Sequence, residues 1–277
     1  MHRLILSALF FFLPFSLLAN SSVDKSRALN NKNISAVRLQ THDSNDSSIF
    51  VEKGLMSELG NGMEKNATLA YNYYTKAVAL GNIEAYYHLG RFYHTPPVSN
   101  ERLFKKDINA SIRYYGYAAD RGYVRAQHNL AYLYFSEGLP YKDDNKSFYY
   151  AQKAADQNFT MSQYLLANFY AIGIGTVKNP TKAVELYKTV LLKEDNGRAQ
   201  YNLALLIASG MGHEVNNILA YALWYDNAKR GDADSAYNIE KLKKRMTPEE
   251  IKLAEELSKN RQKMINQVTP MSLKKLL

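Results

Sequence analysis

The sequence predicts an all-α fold of stacked helical hairpins, and a repeated phrase is the first observation behind this prediction. Five segments align without gaps, the last more loosely than the others: EAYYHLG, RAQHNLA, MSQYLLA, RAQYNLA and DSAYNIE, beginning at residues 84, 125, 161, 198 and 234. The second residue of each copy is alanine or serine, and these residues are 41, 36, 37 and 36 positions apart. A period of this size indicates that each copy belongs to one supersecondary unit of a repeat protein.

A second phrase between these copies supports the same prediction. It reads YYTKAVALGN, YYGYAADRGY, YAQKAADQNF and WYDNAKRGD in different repeats. Both phrases space their apolar residues as one face of a helix does, and glycine or asparagine stands near the end of the second phrase. Each repeat therefore predicts two helices, and residues 47–246 predict an α/α superhelical solenoid of about five helical-hairpin repeats.

A Gly-x-Gly motif recurs between the two helices of three repeats, at residues 60–62, 173–175 and 210–212. Such a motif cradles a phosphate only when it follows a strand and opens a helix in a βαβ unit. The helical pattern excludes that setting. We interpret these glycines as turn residues with positive φ, a conformation that glycine adopts without steric cost.

Together these motifs resemble Sel-one-like repeats, which are short α/α relatives of tetratricopeptide repeats. The matching features are A-x-x-x-L-G, the Gly-x-Gly turn, asparagine or aspartate before Lys-Ala, and W/Y-Y-x-x-A-A-x-x-G. The resemblance covers residues 47–232 as about five repeats, although IFVEKGL replaces the usual first phrase in the first copy.

This resemblance implies an exported bacterial adaptor that assembles envelope complexes, controls cell-wall enzymes or contacts a host cell. We therefore expect a non-enzymatic scaffold that binds a protein partner on its concave face. The alternative is a peptidoglycan-associated sugar-binding module or cell-wall enzyme, because exposed tyrosines stack on sugar rings. The chain has 22 tyrosines, 11 phenylalanines and one tryptophan.

The N-terminal residues predict export. Residues 1–19 have a basic start, an apolar run from Leu4 to Leu18 and a small residue, Ala19, where cleavage is expected. This pattern is typical of a signal peptide, and a retained N-terminal anchor is the alternative. Residues 20–46 are polar and predict a flexible leader. Because the chain has no cysteine, it has neither disulfides nor a lipoprotein attachment site, and we expect a periplasmic or secreted protein.

The C-terminal residues 247–277 predict a capping helix and a basic tail. Thr247, Pro248 and Glu250 form a helix-start signal, and the helix is expected to end near Gln267. Residues 241–277 contain ten lysines and arginines and four glutamates, which gives a net charge of +6. This charge indicates a solvated helix face or, alternatively, a weak contact with an anionic surface. No nucleic-acid-binding motif accompanies it.

The second repeat contains an insertion, HTPPVSNERLFKKD, at residues 94–107. Pro96 and Pro97 exclude a helix there. Solenoids tolerate such loops, and the alternative is a protrusion that contacts a partner.

No catalytic, metal or cofactor signature is present in the sequence. The six histidines form no H-E-x-x-H motif and no i, i+4 pair on one helix. Asp143-Asp144-Asn145 has no Ca²⁺-loop glycine and distal glutamate after it, so it predicts a turn with helix N-cap character. No Ser–His or Glu–Glu constellation is assignable, and we expect no enzymatic activity, no metal and no cofactor.

Helical geometry selects two rows of candidate partner-binding residues. Taking the recurring alanine or serine as the packed position, the residues two and six places later are expected to face the groove. We predict contacts from Arg91, Tyr132 and Asn168, supported by Tyr87, His128 and Tyr164. For the supporting row, the alternative is packing between neighbouring repeats.

Overall fold

The computed structural model describes residues 46–97, 104–136 and 141–271. These residues form thirteen helices, and no strand occurs among them. The all-α prediction is confirmed. The predicted signal peptide, the leader up to residue 45 and the last six residues of the basic tail lie outside the described residues.

The described residues form two compact units, which divide between Ser111 and Ile112. The helices of the first unit are α1 (Ser47–Leu59), α2 (Ala67–Ala79), α3 (Ile83–His94) and the start of α4 (Ile108–Asp120). The second unit contains the rest of α4, then α5 (Val124–Phe135), α6 (Asp144–Asp156), α7 (Thr160–Ile172), α8 (Pro180–Lys193), α9 (Gly197–Ser209), α10 (Asn217–Lys229), α11 (Ala233–Lys243), α12 (Pro248–Ser258) and α13 (Arg261–Gln267). No helix among the described residues is long and apolar enough to cross a membrane.

Each repeat is a hairpin of two consecutive helices. We call α1, α3, α5, α7, α9 and α11 the first helices, and α2, α4, α6, α8 and α10 the second helices. The strongest contacts join the first and second helix of one repeat, as in α1 with α2, α5 with α6 and α7 with α8. Around α5, α6 and α7 the core is built from small and large residues together: Ala131, Phe135, Ala151, Ala155, Leu165, Leu166 and Phe169.

Polar residues just before the helices set where many of them begin. Asn66, Asn179 and Asn216 accept hydrogen bonds from backbone N–H groups in the first turns of α2, α8 and α10. An oxygen at this position satisfies a donor that has no partner within the helix. Asp143 caps α6 in the same way, which confirms the N-cap predicted there.

The glycines of the three Gly-x-Gly motifs all have positive φ, between 62° and 86°, as predicted. The second glycine of two motifs has a further role. A Cβ atom on Gly175 would overlap the backbone of Asp144, and one on Gly212 would overlap the Pro180 carbonyl group. The turn of one repeat therefore lies against the start of the second helix of the repeat before it, and only glycine permits this approach.

After His94, the insertion in the second repeat has no helix in its described part. Helix α3 ends at His94, and Pro96 and Pro97 lie outside any helix, as predicted. The insertion returns to the end of α3 at Asp107, whose N–H donates to the Tyr93 carbonyl at 3.0 Å.

The C-terminal segment differs from the single capping helix that the sequence predicted. Thr247 and Glu250 form a capping box, and Pro248 is the first helical residue, so the predicted start is confirmed. The helix ends at Ser258, however, and α13 begins after Asn260, whose side chain accepts from the Lys263 N–H. Asn260 is a strong N-cap and favours a new start over a continued helix.

The last helix supplies a cap that the fourth repeat lacks. The second helices of the other repeats are followed by a residue with positive φ: Gly81, Gly122, Asn158 and Gly231. Helix α8 has no such residue and ends in extended backbone at Glu194. Arg261 of α13 instead donates to the carbonyls of Leu191 and Glu194, at 2.5 and 2.6 Å. The C-terminal segment thus completes the fourth repeat by satisfying carbonyls that the helix end leaves unpaired.

We predict that Gly212→Ala destabilises the protein far more than Gly62→Ala. Both glycines have nearly the same φ, 72° and 74°, so both variants incur the left-handed backbone cost of about 1–2 kcal/mol. A Cβ at Gly62 meets only the Met56 methyl group at 3.5 Å, whereas one at Gly212 overlaps backbone. In Gly212→Ala this overlap should lower the free energy of unfolding by about 1–3 kcal/mol more. Urea unfolding measures both values, and equal losses would contradict the close approach.

Candidate functional site

The six residues predicted as partner contacts occupy equivalent places on three first helices. Counting from the first residue of each helix, Tyr87, His128 and Tyr164 are fifth residues. Arg91, Tyr132 and Asn168 are ninth residues of the same helices. The structure therefore places all six at the helix positions that the sequence alignment requires.

In the second unit these rows face the next first helix. His128, the fifth residue of α5, lies with its Nδ1 2.9 Å from the hydroxyl of Ser162, the third residue of α7. The amide of Asn238, the sixth residue of α11, donates to the hydroxyl of Tyr201, the fifth residue of α9, at 3.0 Å. The fifth residues thus pack between neighbouring repeats, which was the alternative weighed for this row.

Asn168 is the centre of a buried hydrogen-bond network. Its Oδ1 accepts from the Tyr187 hydroxyl at 2.5 Å and from the Asn202 amide at 3.0 Å. Tyr187 belongs to the second helix of the same repeat, and Asn202 is the sixth residue of the next first helix. Because burial disfavours the phenolate, the pKa of Tyr187 is raised well above its ordinary value. The network therefore holds neutral groups that join two repeats.

The expectation that both rows line an open groove is wrong for three of the six residues. Tyr87, His128 and Asn168 are only 7–8% exposed. Sequence periodicity identified their rows correctly, but it does not distinguish a residue that faces solvent from one that faces the next repeat. Arg91, Tyr132 and Tyr164 are half-buried, and their contact with a partner stays a prediction.

Arg91 belongs to a polar cluster in the first unit. Its guanidinium pairs with Glu58, which also accepts from the Tyr74 hydroxyl at 2.8 Å. The imidazole of His88 stacks on the Tyr74 ring, with the ring centroids 4.6 Å apart. Burial alone would raise the pKa of Glu58, but the Arg91 charge and the hydrogen bonds from Arg91 and Tyr74 outweigh it and lower that pKa. The carboxylate of Glu58 thus remains charged and fixes Arg91 in place.

One kind of surface residue was not predicted from the sequence: the second residue of the first helices α3, α5, α7, α9 and α11. This position carries Glu84, Arg125, Met161, Arg198 and Asp234 in successive repeats. The change of charge along the row was visible in the sequence. Arg198 is exposed, and it lies near Tyr164. Burial raises the pKa of Tyr164, and the positive charge of Arg198 partly offsets that rise.

We use the name tyrosine–arginine strip for four residues on successive first helices of the second unit: Tyr132, Tyr164, Arg198 and Tyr201. The three tyrosines are half-buried, and they lie on the consecutive first helices α5, α7 and α9. Tyrosine and arginine are enriched among the residues that dominate binding energy at protein interfaces.

The described residues contain no group of three or more histidine, cysteine, aspartate or glutamate side chains placed to hold a metal ion. Three histidines are instead held neutral by burial or partial burial. Burial lowers the pKa of His88, and it lowers those of His94 and His128 to about 4. For His94, the nearby Lys106 charge adds to the effect.

The repeat family follows from these observations together with sequence comparison. The Sel1 repeat model matches five segments, residues 54–82, 83–123, 124–159, 160–189 and 197–231, which together cover more than half of the chain. The chain belongs to the Sel1 repeat family. Four of the five segments begin at the first residue of a first helix, which confirms the hairpin register read from the sequence.

Two solved structures resemble this Sel1 repeat protein. A Sel1 repeat protein from Oxalobacter formigenes is 25% identical with a TM-score of 0.66, covering 85% of this chain and 96% of that one. The protein c5321, described as a protective antigen present in uropathogenic Escherichia coli strains and displaying an SLR fold, is 23% identical with a TM-score of 0.67. That match covers 84% of this chain, which spans about half of c5321, 48%. No curated protein matches the chain.

We predict that Asn168→Ala lowers the free energy of unfolding by about 1–3 kcal/mol, because the variant leaves the buried Tyr187 hydroxyl and Asn202 amide short of an acceptor. Arg198→Ala is the control, since an exposed substitution usually changes stability by about 0.5 kcal/mol or less. Urea unfolding measures both variants. In the Asn168→Ala background, Tyr187→Phe should lower the free energy of unfolding by less than it does in the wild type. If the stability losses of the two substitutions simply add, Asn168 and Tyr187 do not stabilise the protein through a shared network.

Proposed function

We propose that the protein is a non-enzymatic protein-interaction scaffold that acts in the bacterial periplasm or after secretion. Sel1 repeats generally mediate protein–protein interaction, and the family assignment gives this proposal its starting point. The tyrosine–arginine strip is the single observation that carries it for this chain.

The strip combines rigidity with partial exposure. Two of its tyrosine rings pack on the second helix of their own repeat: Tyr164 lies against Tyr187 with ring centroids 6.1 Å apart, and Tyr201 lies against Trp224 at 6.3 Å. Side chains that are already fixed lose little entropy when a partner binds. Arg198 adds an exposed guanidinium beside Tyr164, which supplies directional donors for an acidic or carbonyl group.

The polar interior supports a binding role over catalysis. Ser162, Asn168, Asn202 and Tyr187 are engaged in contacts between helices, and His128 is buried and neutral. A catalytic group must reach its substrate with a matched pKa. The polar side chains of the second unit therefore act as structural links, and binding is left to its surface.

We predict that Arg198→Glu reduces capture of the native partner about tenfold or more, as loss of an interface hot spot does. Tagged wild-type chain is expressed in its native host, recovered from the envelope with its partners, and the co-purifying proteins are quantified by mass spectrometry. Lys229→Glu is the control because it makes the same charge change at an exposed residue of the second helix α10.

Equal capture by Arg198→Glu and the control would contradict a role for the strip. Recovery of the chain only from the cytoplasm would contradict export. The rival sugar-binding function has its own readout, because it requires the chain to pellet with purified peptidoglycan or to release fragments from it. Pelleting without any protein partner would overturn the scaffold proposal.

A further inference from the structure

The outer face of α11 presents stacking residues that meet no later first helix among the described residues. Tyr237 and Lys241 are the fifth and ninth residues of α11, so they occupy the two rows that face the next repeat elsewhere in the second unit. Tyr237 is 61% exposed, whereas the equivalent His128 is 7% exposed. The Lys241 ammonium lies 4.2 Å from the centroid of the Tyr237 ring and pairs with no described carboxylate.

Helix α1 presents the complementary residues of a first helix with no described predecessor. Like α7 and α9, α1 has thirteen residues and ends at a glycine with positive φ, which fixes its register. Its third and sixth residues are therefore Ile49 and Glu52, the counterparts of Ser162 and Asn202. Both are half-buried, and Glu52 forms no ion pair with a described residue.

The contacts between neighbouring first helices define which positions meet. Fifth residues meet third and sixth residues, as His128 meets Ser162 and Tyr201 meets Asn238. A ninth residue meets a sixth residue, as Asn168 meets Asn202. In the same register, Tyr237 of one molecule would meet Ile49 of another, and Lys241 would meet Glu52. The pairing joins an aromatic ring to an aliphatic side chain and a cation to an anion.

We propose that α11 of one copy of this chain stacks on α1 of a second copy, so that the repeat stack continues from molecule to molecule. Charge around the two helices agrees with this pairing. Exposed Lys244 and Arg245 follow the C-terminal end of α11 and add to the charge of Lys241, while Glu240 is already paired with Lys243.

A contact between α11 and α1 is heterologous, because it joins two different surfaces, and each added copy leaves one of each surface free. A face of one helix is small, so the association is weak and depends on concentration.

A charge-exchange experiment tests this register. Sedimentation velocity of residues 20–277 over a wide concentration range should show reversible association of the wild type. Lys241→Glu and Glu52→Lys should each weaken it about tenfold or more, since like charges then face each other. An equimolar mixture of the two variants should associate again, because each contact between unlike variants restores an opposite-charge pair. Lys229→Glu is the control for a change of net charge and should associate as the wild type does.

Several results would overturn the proposal. A wild type that stays monomeric at all concentrations, or a mixture that associates no better than the single variants, is incompatible with it. Sensitivity to only one of the two substitutions would indicate a contact between two identical surfaces instead. Association of residues 46–277 but not of residues 20–277 would show that the N-terminal segment occupies α1. These outcomes are independent of whether a partner binds the tyrosine–arginine strip.

Discussion

The packing of small residues between neighbouring helices is the constraint on which the rest of the structure depends. The third residues of α3, α5, α7, α9 and α11 are Ala85, Ala126, Ser162, Ala199 and Ser235, and each is fully buried. A larger side chain at this point would have no room among the helices around it. In the second unit, the fifth and ninth residues make contacts with the next first helix, and Gly175 and Gly212 lie against the backbone of the preceding repeat. Repeats stacked in this way are stabilised mainly by their neighbours.

This constraint also separates structural polar residues from those left for binding. Asn168, Asn202 and Tyr187 hydrogen-bond to one another in the interior, and removing one member would leave the others unsatisfied. The edges of the same helices remain partly exposed, and there the side chains vary from repeat to repeat. Helices that need their interior for packing leave these edges and the exposed faces of α1 and α11 for other molecules. The C-terminal helices α12 and α13 pack on the second helices α8 and α10, so they leave α11 exposed at Tyr237 and Lys241.

Much of the fold could be predicted from the sequence because stacking requires small residues and glycines at fixed intervals. The hairpin period, the positive-φ glycines and the capping box at Thr247 were all visible as local patterns. The break at Asn260 was missed because continued helical periodicity concealed a strong N-cap. The candidate site was harder to predict. The rows of fifth and ninth residues have the right spacing for a groove, but burial of Asn168 and His128 depends on the neighbouring repeat, which no local pattern reports. Arg198 was missed for the same reason, since its exposure follows from the stacking geometry.

The register between neighbouring first helices is tested most directly by introduced cysteines, because the natural chain has none. In the second unit, the side chains of His128 and Ser162 are 2.9 Å apart. The pair His128→Cys with Ser162→Cys should form a disulfide under mild oxidation, which mass spectrometry of peptides detects. The pair His128→Cys with Gln163→Cys is shifted by one residue, which turns the second side chain by about 100° around α7 and prevents the bond. Crosslinking of the shifted pair as readily as the first, in a protein that remains folded, would contradict the stacking register.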